Sequence, residues 1–528
     1  MSNKKTFCST TEMQPVRASL ADLTGREYVA AVVNARSFLS GEDAGVLLGM
    51  ADAPVEFLPA AFMERQHNLL KQVGRQVVAP VCGNPQKGAS TQMFNAATKT
   101  AHAPLSAEGF FRVGEDGRLR LISKSEHYHA SLGHNFPGYA LLERARQLGI
   151  PNATHNNTRG HITRLLEEEL TRVANGISPD DVSGLDRVLA SDDLYVCNRV
   201  LNLETGSLAL EAALKMILAR FYSPEIDGTA PPFLGKTPVL AVMGDDNGGF
   251  QANYHGTTML TQTMRGMWPG LYAKLESHGI VQVCPIRPNR IEDLEAAFAQ
   301  WHRGSTRIAG FFHEIVMMNY GGRLLTREFL QRAYALCREH GVPTVCDEIQ
   351  SCLWHPDLFM FREWGLTPSF VAMGKGFPGG EYPASRLLFS AAMDSLPLFG
   401  ALVTNGQEEL ASLAYLITMH WAVANSAITR SVGDYYEERM RAFGAEHSGE
   451  IAAVDGNRHM MTLHFAGLEA AKNFTKCLAD QGLDASVQVY KQNCPPTVLT
   501  KLPLISTPIV IDFILERMEN AIRATTNN

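Results

Sequence analysis

No run of eighteen apolar residues occurs in the 528-residue chain, which argues against a membrane-spanning helix. There is no basic tract and no arginine-rich helix either. The formal net charge of -7 is spread among charges of both signs, so nucleic acid is a poor candidate partner. Cysteine is sparse, with nine residues and no CxxC pair. Cys346 and Cys352 flank an acidic segment but lack the His and Cys partners of a zinc site, so no metal is expected. The cysteines read instead as thiols buried in a reducing cytoplasm. The amino terminus starts with charged residues but has no apolar stretch behind them, unlike a secretory signal. What is plentiful is apolar side chain: hydrophobic residues make up 45% and charged residues 19%, enough for a large core and more than one domain.

Periodicity divides the chain into three parts. Residues 1–107 form an extension, largely helical, with helical spacing of apolar residues over 20–38 and 55–73. The stretch 83–104, rich in Gly, Ala, Thr and Asn, reads as a loop. A hairpin follows over 110–122, turned by Glu115-Asp116-Gly117. In residues 108–391 the pattern alternates. A helix over 208–222 has Leu210, Leu214, Ile217 and Leu218 on one face. Apolar strands are expected over 238–243, 280–286 and 308–312. A helix over 325–340 is stopped by Gly341-Val342-Pro343, and strands over 344–346, 370–373 and 386–390 come after it. Such alternation predicts βαβ units and a mostly parallel sheet, which binds ligands at the carboxyl ends of its strands. Residues 392–528 predict a smaller α+β domain. It has helices over 408–424, 468–481 and 508–524 and a strand over 460–465.

The chemistry gathers in two strand ends. Val345-Cys346-Asp347-Glu348-Ile349-Gln350 puts a carboxylate after one strand, and Met373-Gly374-Lys375-Gly376 puts an amine after another. In a parallel sheet both face one crevice. A buried lysine has a lowered pKa and can form a Schiff base with an aldehyde. A carboxylate opposite a pyridine nitrogen keeps that nitrogen protonated, so that the ring accepts electrons. Two further segments fit. Glu204-Thr205-Gly206-Ser207 opens a helix, where free amides and the dipole favour a phosphate; the alternative is an ordinary hydroxyl cap. Asn253-Tyr254-His255-Gly256 reads by itself as packing in a loop, and only a family resemblance makes its aromatic face the partner of a flat ring.

Taken together, these segments resemble the class III pyridoxal-phosphate aminotransferases, the ω-aminotransferase group of the aspartate aminotransferase superfamily. The family pattern Asp-Glu-Val/Ile-Gln is matched by Asp347-Glu348-Ile349-Gln350. Its Pro-Asp-x-x-x-x-Gly-Lys-x-x-x-Gly-Gly resembles Pro368-Ser369-Phe370-Val371-Ala372-Met373-Gly374-Lys375-Gly376-Phe377-Pro378-Gly379-Gly380. Its Ser-Gly-Thr segment resembles Thr205-Gly206-Ser207, and its Thr-Phe-Gly-Gly-Asn-Pro-Leu-Ala lies in frame with residues 404–411. Ser131-Leu132-Gly133-His134-Asn135-Phe136-Pro137 is similar to its Leu-Gly-His-x-x-Pro, and Glu314 stands where it has Glu-Pro.

The resemblance implies an α/β fold type I. A large, mostly parallel seven-stranded domain would join a small α+β C-terminal domain and the extra N-terminal helical segment. It implies pyridoxal 5'-phosphate bound by Schiff base to Lys375, with Asp347 at the ring nitrogen and Gln350 near the phenolic oxygen. Tyr254 would stack on the ring beside His255 and Glu314, and Thr205, Gly206 and Ser207 would hold the phosphate. Thr404 would reach the phosphate of a second subunit, giving a cytoplasmic homodimer with shared sites. The activity implied is ping-pong transfer of an amino group from an amine or amino acid donor to a keto acid or aldehyde. Other chemistry on the same cofactor (aminomutase, racemase, decarboxylase) and a non-catalytic binding role are the alternatives.

The departures concern substrate. Thr257 stands where many members have an arginine, Asn319 replaces a second acid, and Thr500-Lys501-Leu502-Pro503-Leu504 lacks the arginine of the family's Arg-x-x-Pro-Pro-Leu. A bidentate carboxylate clamp is therefore not visible where it is expected. Arg159 is the candidate replacement, against the alternative of a solvated surface arginine.

Overall fold

The computed structural model describes residues 12–81, 88–124, 129–404, 406–488 and 494–526. Its centre is a seven-stranded sheet. In chain order the strands are β1 (Cys197–Leu203), β2 (Thr237–Met243), β3 (Gln282–Ile286), β4 (Thr306–His313), β5 (Thr344–Asp347), β6 (Phe370–Met373) and β7 (Ser385–Ser390). Across the sheet they run β1-β7-β6-β5-β4-β2-β3. Only β7 is reversed; it pairs antiparallel with both β6 and β1, and the other neighbours are parallel. The middle strands β5, β6 and β7 are buried at every position, as expected of strands covered on both faces.

The strand patterns over 238–243, 308–312, 344–346, 370–373 and 386–390 match β2 and β4 to β7 to within two residues at each end. The pattern over 280–286 begins two residues before β3. β1 is the strand that periodicity missed. Asn198, Arg199 and Asn202 break its apolar run because it sits at the sheet edge. There the side-chain amide of Asn198 can donate to the carbonyls of Val188 and Ser191.

The amino-terminal patterns are redrawn. Spacing over 20–38 conceals two helices, Leu20–Thr24 and Arg26–Ser40, separated at Gly25 with φ of 90°. Val55–Glu56 is a strand paired antiparallel with Arg17–Ala18, and the helix starts only at Ala60, after Pro59. The expected loop over 83–104 holds a short helix, Gln92–Ala97, and its residues 83–87 lie outside the described residues.

The hairpin forms as expected, from Phe111–Gly114 and Leu119–Ile122, with Gly117 at φ 76°. Its sheet has other members: Pro104–Glu108 on one side and Leu483–Asp484, from the carboxyl-terminal region, on the other. The hairpin, placed by sequence at the start of the 108–391 segment, thus pairs in a sheet of its own and not in the seven-stranded one. A partly buried ion pair between Arg112 and Asp484 fastens the join. The carboxyl-terminal region has its own four-stranded sheet of Ile451–Asn457, Met460–Phe465, Thr497–Lys501 and Ser486–Val487.

One helix is capped from a distance. His161–Ala174 begins after Gly160, which has no side chain to satisfy the first amides. The buried carboxylate of Glu409 does so instead, accepting from the backbone of Ile162 (2.8 Å) and Thr163 (3.2 Å) and from the Thr163 hydroxyl (2.8 Å). It also sits at the positive end of that helix dipole. A Cβ on residue 160 would come within 2.2 Å of Glu409 Oε1, so glycine leaves the needed space. Replacing Glu409 by Ala strands the buried amides of Ile162 and Thr163, while the Thr163 hydroxyl keeps Ser412 at 3.2 Å, and the expected loss is roughly 3 kcal/mol of stability. Chemical denaturation should read it as a lower midpoint with an unchanged slope.

Candidate active site

Asp347 closes β5 and Lys375 lies two residues past the end of β6. The two strands are parallel and paired Asp347 with Ala372, so both side chains emerge at one edge of the sheet. Both line one cavity of about 240 Å³. The cavity also receives Glu314 from the end of β4, Tyr254 and His255 from the loop after β2, and Glu204 to Ser207 from the turn after β1. Each of these parent strands is parallel to the others, so the cavity stands at their carboxyl ends.

Asp347 is buried and held on two sides. Its Oδ2 lies 2.8 Å from Nδ1 of His255, and its Oδ1 accepts from the backbone amide of Ile349 at 3.1 Å. A proton on His255 Nδ1 therefore points at the carboxylate. Burial pushes the Lys375 amine below the usual lysine range, while Glu314, Asp347 and Cys352 pull it back up. The neighbouring acid Glu348 is different in kind. It is fully buried, pushed up to about 7 by desolvation, and accepts from the amides of Met360 and Phe361 and from Ser351. It organises the chain behind the cavity and does not line it.

The turn after β1 opens the helix α1 (Gly206–Leu218). Thr205 caps it, with its Oγ1 accepting from the Leu208 amide at 3.4 Å. Ser207 Oγ accepts from the Thr257 amide at 3.1 Å, which ties the Tyr254–Gly256 loop to the helix start. Gly256 makes that approach possible. Its φ is 117°, and a Cβ there would meet Ser207 Cα at 2.7 Å. The Tyr254 ring has the guanidinium of Arg265 on it at 5.2 Å.

The expected site residues thus fall into two groups. Thr205, Gly206, Ser207, Tyr254, His255, Glu314, Asp347, Gln350 and Lys375 line one cavity. Thr404 and Arg159 do not. Thr404 is exposed on a turn, and Arg159 lines a separate surface groove, where its Nε donates to Glu167 at 2.7 Å. Sequence reasoning missed His129, Glu204 and Tyr382, which also line the cavity. Tyr382 follows the Gly379-Gly380 pair already singled out, and His129 precedes the Ser131–Pro137 segment; neither position carried a signal of its own.

The donor set suits a flat, phosphorylated aldehyde. An amine and a carboxylate share the cavity, and the first residues of α1 lie at its wall. Two wall residues also keep a buried polar atom without a hydrogen-bond partner among the described residues: Nε2 of His255 and Oε1 of Gln350. Buried polar atoms of that kind call for a ligand or water. No cluster of His, Cys, Asp and Glu among the described residues could hold a metal ion.

The model of the family "Aminotransferase class-III" matches residues 166–522. The chain belongs to the class-III aminotransferases. Its cofactor is pyridoxal 5'-phosphate, and its reaction is the transfer of an amino group. Ornithine aminotransferase of Bacillus subtilis is 25% identical over 342 residues, 61% of this chain and 74% of the relative. Among solved structures, a Bacillus anthracis aminotransferase superposes with a TM-score of 0.66 at 15% identity, covering 87% of this chain and 99% of its own. The PMP-bound aminotransferase of Vibrio fluvialis gives 0.64 at 18% identity, covering 84% and 96%. The fold is fold type I, as the sequence implied.

A class-III cavity built this closely should not admit a methyl group at residue 256. Gly256→Ala is expected to weaken retention of pyridoxal 5'-phosphate by about tenfold or more through displacement of Ser207 and the loop. Equilibrium dialysis of the purified protein measures it.

Proposed function

We propose that Lys375 bonds the aldehyde of pyridoxal 5'-phosphate, that Asp347 holds the proton of the ring nitrogen, and that Tyr254 covers one ring face. Gln350 stands by the phenolic oxygen, and Thr205, Gly206 and Ser207 receive the phosphate, with His255 keeping Asp347 in place. The single observation that carries the assignment is that Lys375 and Asp347, on adjacent parallel strands, open into one cavity. When bound, the cofactor supplies a cationic ring that takes up the electron pair of a bond broken at the substrate's amino-bearing carbon. Once displaced by the donor amine, Lys375 Nζ would take the proton from that carbon and hand it to the carbon that carried the cofactor's aldehyde. Desolvation at Lys375 favours the neutral amine this needs.

The lining also speaks to the donor. Besides Asp347, the acidic groups of the wall are Glu204 and Glu314. His129 is pushed down to about 4 by burial and by the nearby lysines Lys375 and Lys501, so it stays uncharged near neutrality. No arginine is among the lining residues described. A donor with a second cationic amine fits this wall better than one with a second carboxylate. The names of the curated relatives, ornithine aminotransferases, agree with that direction. The acceptor is a keto acid or aldehyde. Thr404, exposed outside its own cavity, is suited to reach the phosphate of a second copy, which makes the working unit a homodimer. No disulfide is found among the described residues, in keeping with work in the cytoplasm.

Purified protein should show a visible absorption band that a good amino donor removes and that pyruvate or 2-oxoglutarate restores. Lys375→Ala should lose both the band and turnover; normal turnover by that variant overturns the assignment. Asp347→Asn should retain cofactor while kcat falls by about a hundredfold or more, through loss of the ring-nitrogen proton. In a donor panel, ornithine and simple diamines should exceed glutamate and aspartate in kcat/KM by about tenfold. The reverse order would refute the reading of the acidic wall.

A further inference from the structure

Ping-pong transfer asks one cavity to take a donor with an amine and then an acceptor with a carboxylate. The acids of the wall, Glu204, Glu314 and Asp347, suit the first task and oppose the second. The segment between β6 and β7 is built differently. It gives the wall Lys375, Pro378, Tyr382, Pro383 and Ala384, and its own acid, Glu381, is not among the lining residues. Lys375 apart, Tyr382 is the lining side chain of that segment that can form a hydrogen bond. Its phenol is already engaged from outside the cavity. Arg146, on the helix Ala140–Gln147, donates through Nη2 to Tyr382 Oη at 2.5 Å, and its guanidinium carbon lies 5.8 Å from the centroid of the Tyr382 ring. A guanidinium has donors and no acceptor, so the phenol oxygen accepts in this bond. The phenol's own proton is left to give, and no acceptor takes it among the described residues. Hydrogen bonds in a chain polarise one another, so the bond from Arg146 makes that O–H a stronger donor. Arg146 is balanced in turn. Its Nη1 donates to Glu143 at 3.2 Å, and while burial pushes the Glu381 carboxyl up, Arg146 and His134 draw it back.

We propose that Tyr382 is the residue that recognises the acceptor's carboxylate: its phenolic proton donates to a carboxylate oxygen of the keto acid, and Arg146 is the positioning residue that occupies the other side of the phenol. The inference rests on the reading of this cavity as a transaminase site, and it names the acceptor class as keto acids in preference to uncharged aldehydes. It accounts for a carboxylate site without an arginine in the wall. No arginine is among the lining residues described, and Arg159 is held in its own groove by Glu167. A phenol is matched to the double task. Being uncharged, it does not repel a donor with two amines, as an arginine in the wall would. When a carboxylate arrives, the same O–H forms a charge-assisted bond, stronger than one between neutral groups. The turn that leads to Tyr382 depends on glycine: Gly379 has φ of 62°, and a Cβ there would run into the Tyr139 hydroxyl.

Glutarate, which has carboxylates but no carbonyl to react, gives a direct test on the holoenzyme. Isothermal titration calorimetry should show glutarate binding and pentane-1,5-diol, of the same length, not binding. Tyr382→Phe removes one oxygen and should weaken glutarate by about tenfold or more. Arg146→Met should weaken it by about threefold, and Arg146→Lys, which keeps a donor for the phenol oxygen, should recover most of that loss. In steady state, kcat/KM for 2-oxoglutarate divided by that for butanal should fall in Tyr382→Phe by about the same tenfold. A role confined to packing would lower both acceptors together; that result, or a ratio unchanged in Tyr382→Phe, overturns the proposal. Should the variants not fold, the wild-type protein decides: glutarate bound no better than the diol overturns it, and a clear preference for glutarate supports it. Calorimetry involves no turnover, so the two failures are distinct. Protein without the cofactor's visible band refutes the transaminase reading, whereas protein with the band that ignores glutarate refutes only this inference.

Discussion

Parallel pairing between β5 and β6 is the constraint from which the site follows. Register sets Asp347 against Ala372, three residues short of Lys375, so an acid and an amine leave the sheet side by side. A slip of one residue would turn either side chain to the opposite face. The sheet resists such a slip because both strands are buried at every position and are flanked by β4 and β7. The reversed strand β7 adds a second lock. Its buried Arg386 donates to the carbonyls of Leu203 and Ser385 and lies 5.1 Å from the centroid of the Tyr415 ring, joining β1 to the helix Glu409–Ala424.

Much of the centre could be read from the chain because β2, β5 and β6 are short apolar runs ended by Gly or Asp. Such runs report burial on both faces. The same reasoning explains the misses. β1 carries asparagines and an arginine because one side of it is an edge, so its composition resembles a loop. Val55–Glu56 is too short to impose a period of two, and its pairing with Arg17–Ala18 bridges residues far apart in sequence. Of the cavity, the residues found were those with distinctive chemistry at strand ends, Asp347 and Lys375 foremost. His129 and Tyr382 escaped because a wall position reached by a loop leaves no periodic trace. Arg159 failed as a cavity residue for the converse reason: sequence shows that an arginine is present but not that Glu167 holds it at the surface.

Charge inside this protein is placed by function and by support. Glu348 and Glu409 are buried acids whose amide donors belong to other segments, so each fixes backbone. The cluster around Glu363 does the same at larger scale. Its carboxylate bonds His355, Arg430 and Arg458, and those contacts hold it well below the usual carboxylate range despite its burial. Asp347 and Lys375 differ in having room before them. In a low-dielectric wall, charges that face a cavity can be met by a ligand, whereas charges that face backbone amides are already spoken for.

The small sheet that joins the hairpin to Leu483–Asp484 links strands before residue 123 to one more than 350 residues later. On the ribosome, the edge of Leu119–Ile122 must therefore wait for Leu483–Asp484, far later in the chain, to be made before its neighbour arrives. During synthesis that open edge is exposed to mispairing with other nascent chains, a hazard of long-range strand contacts. Closure of this sheet thus comes long after the hairpin itself is made, and the interval before it is the window in which a chaperone has most to protect.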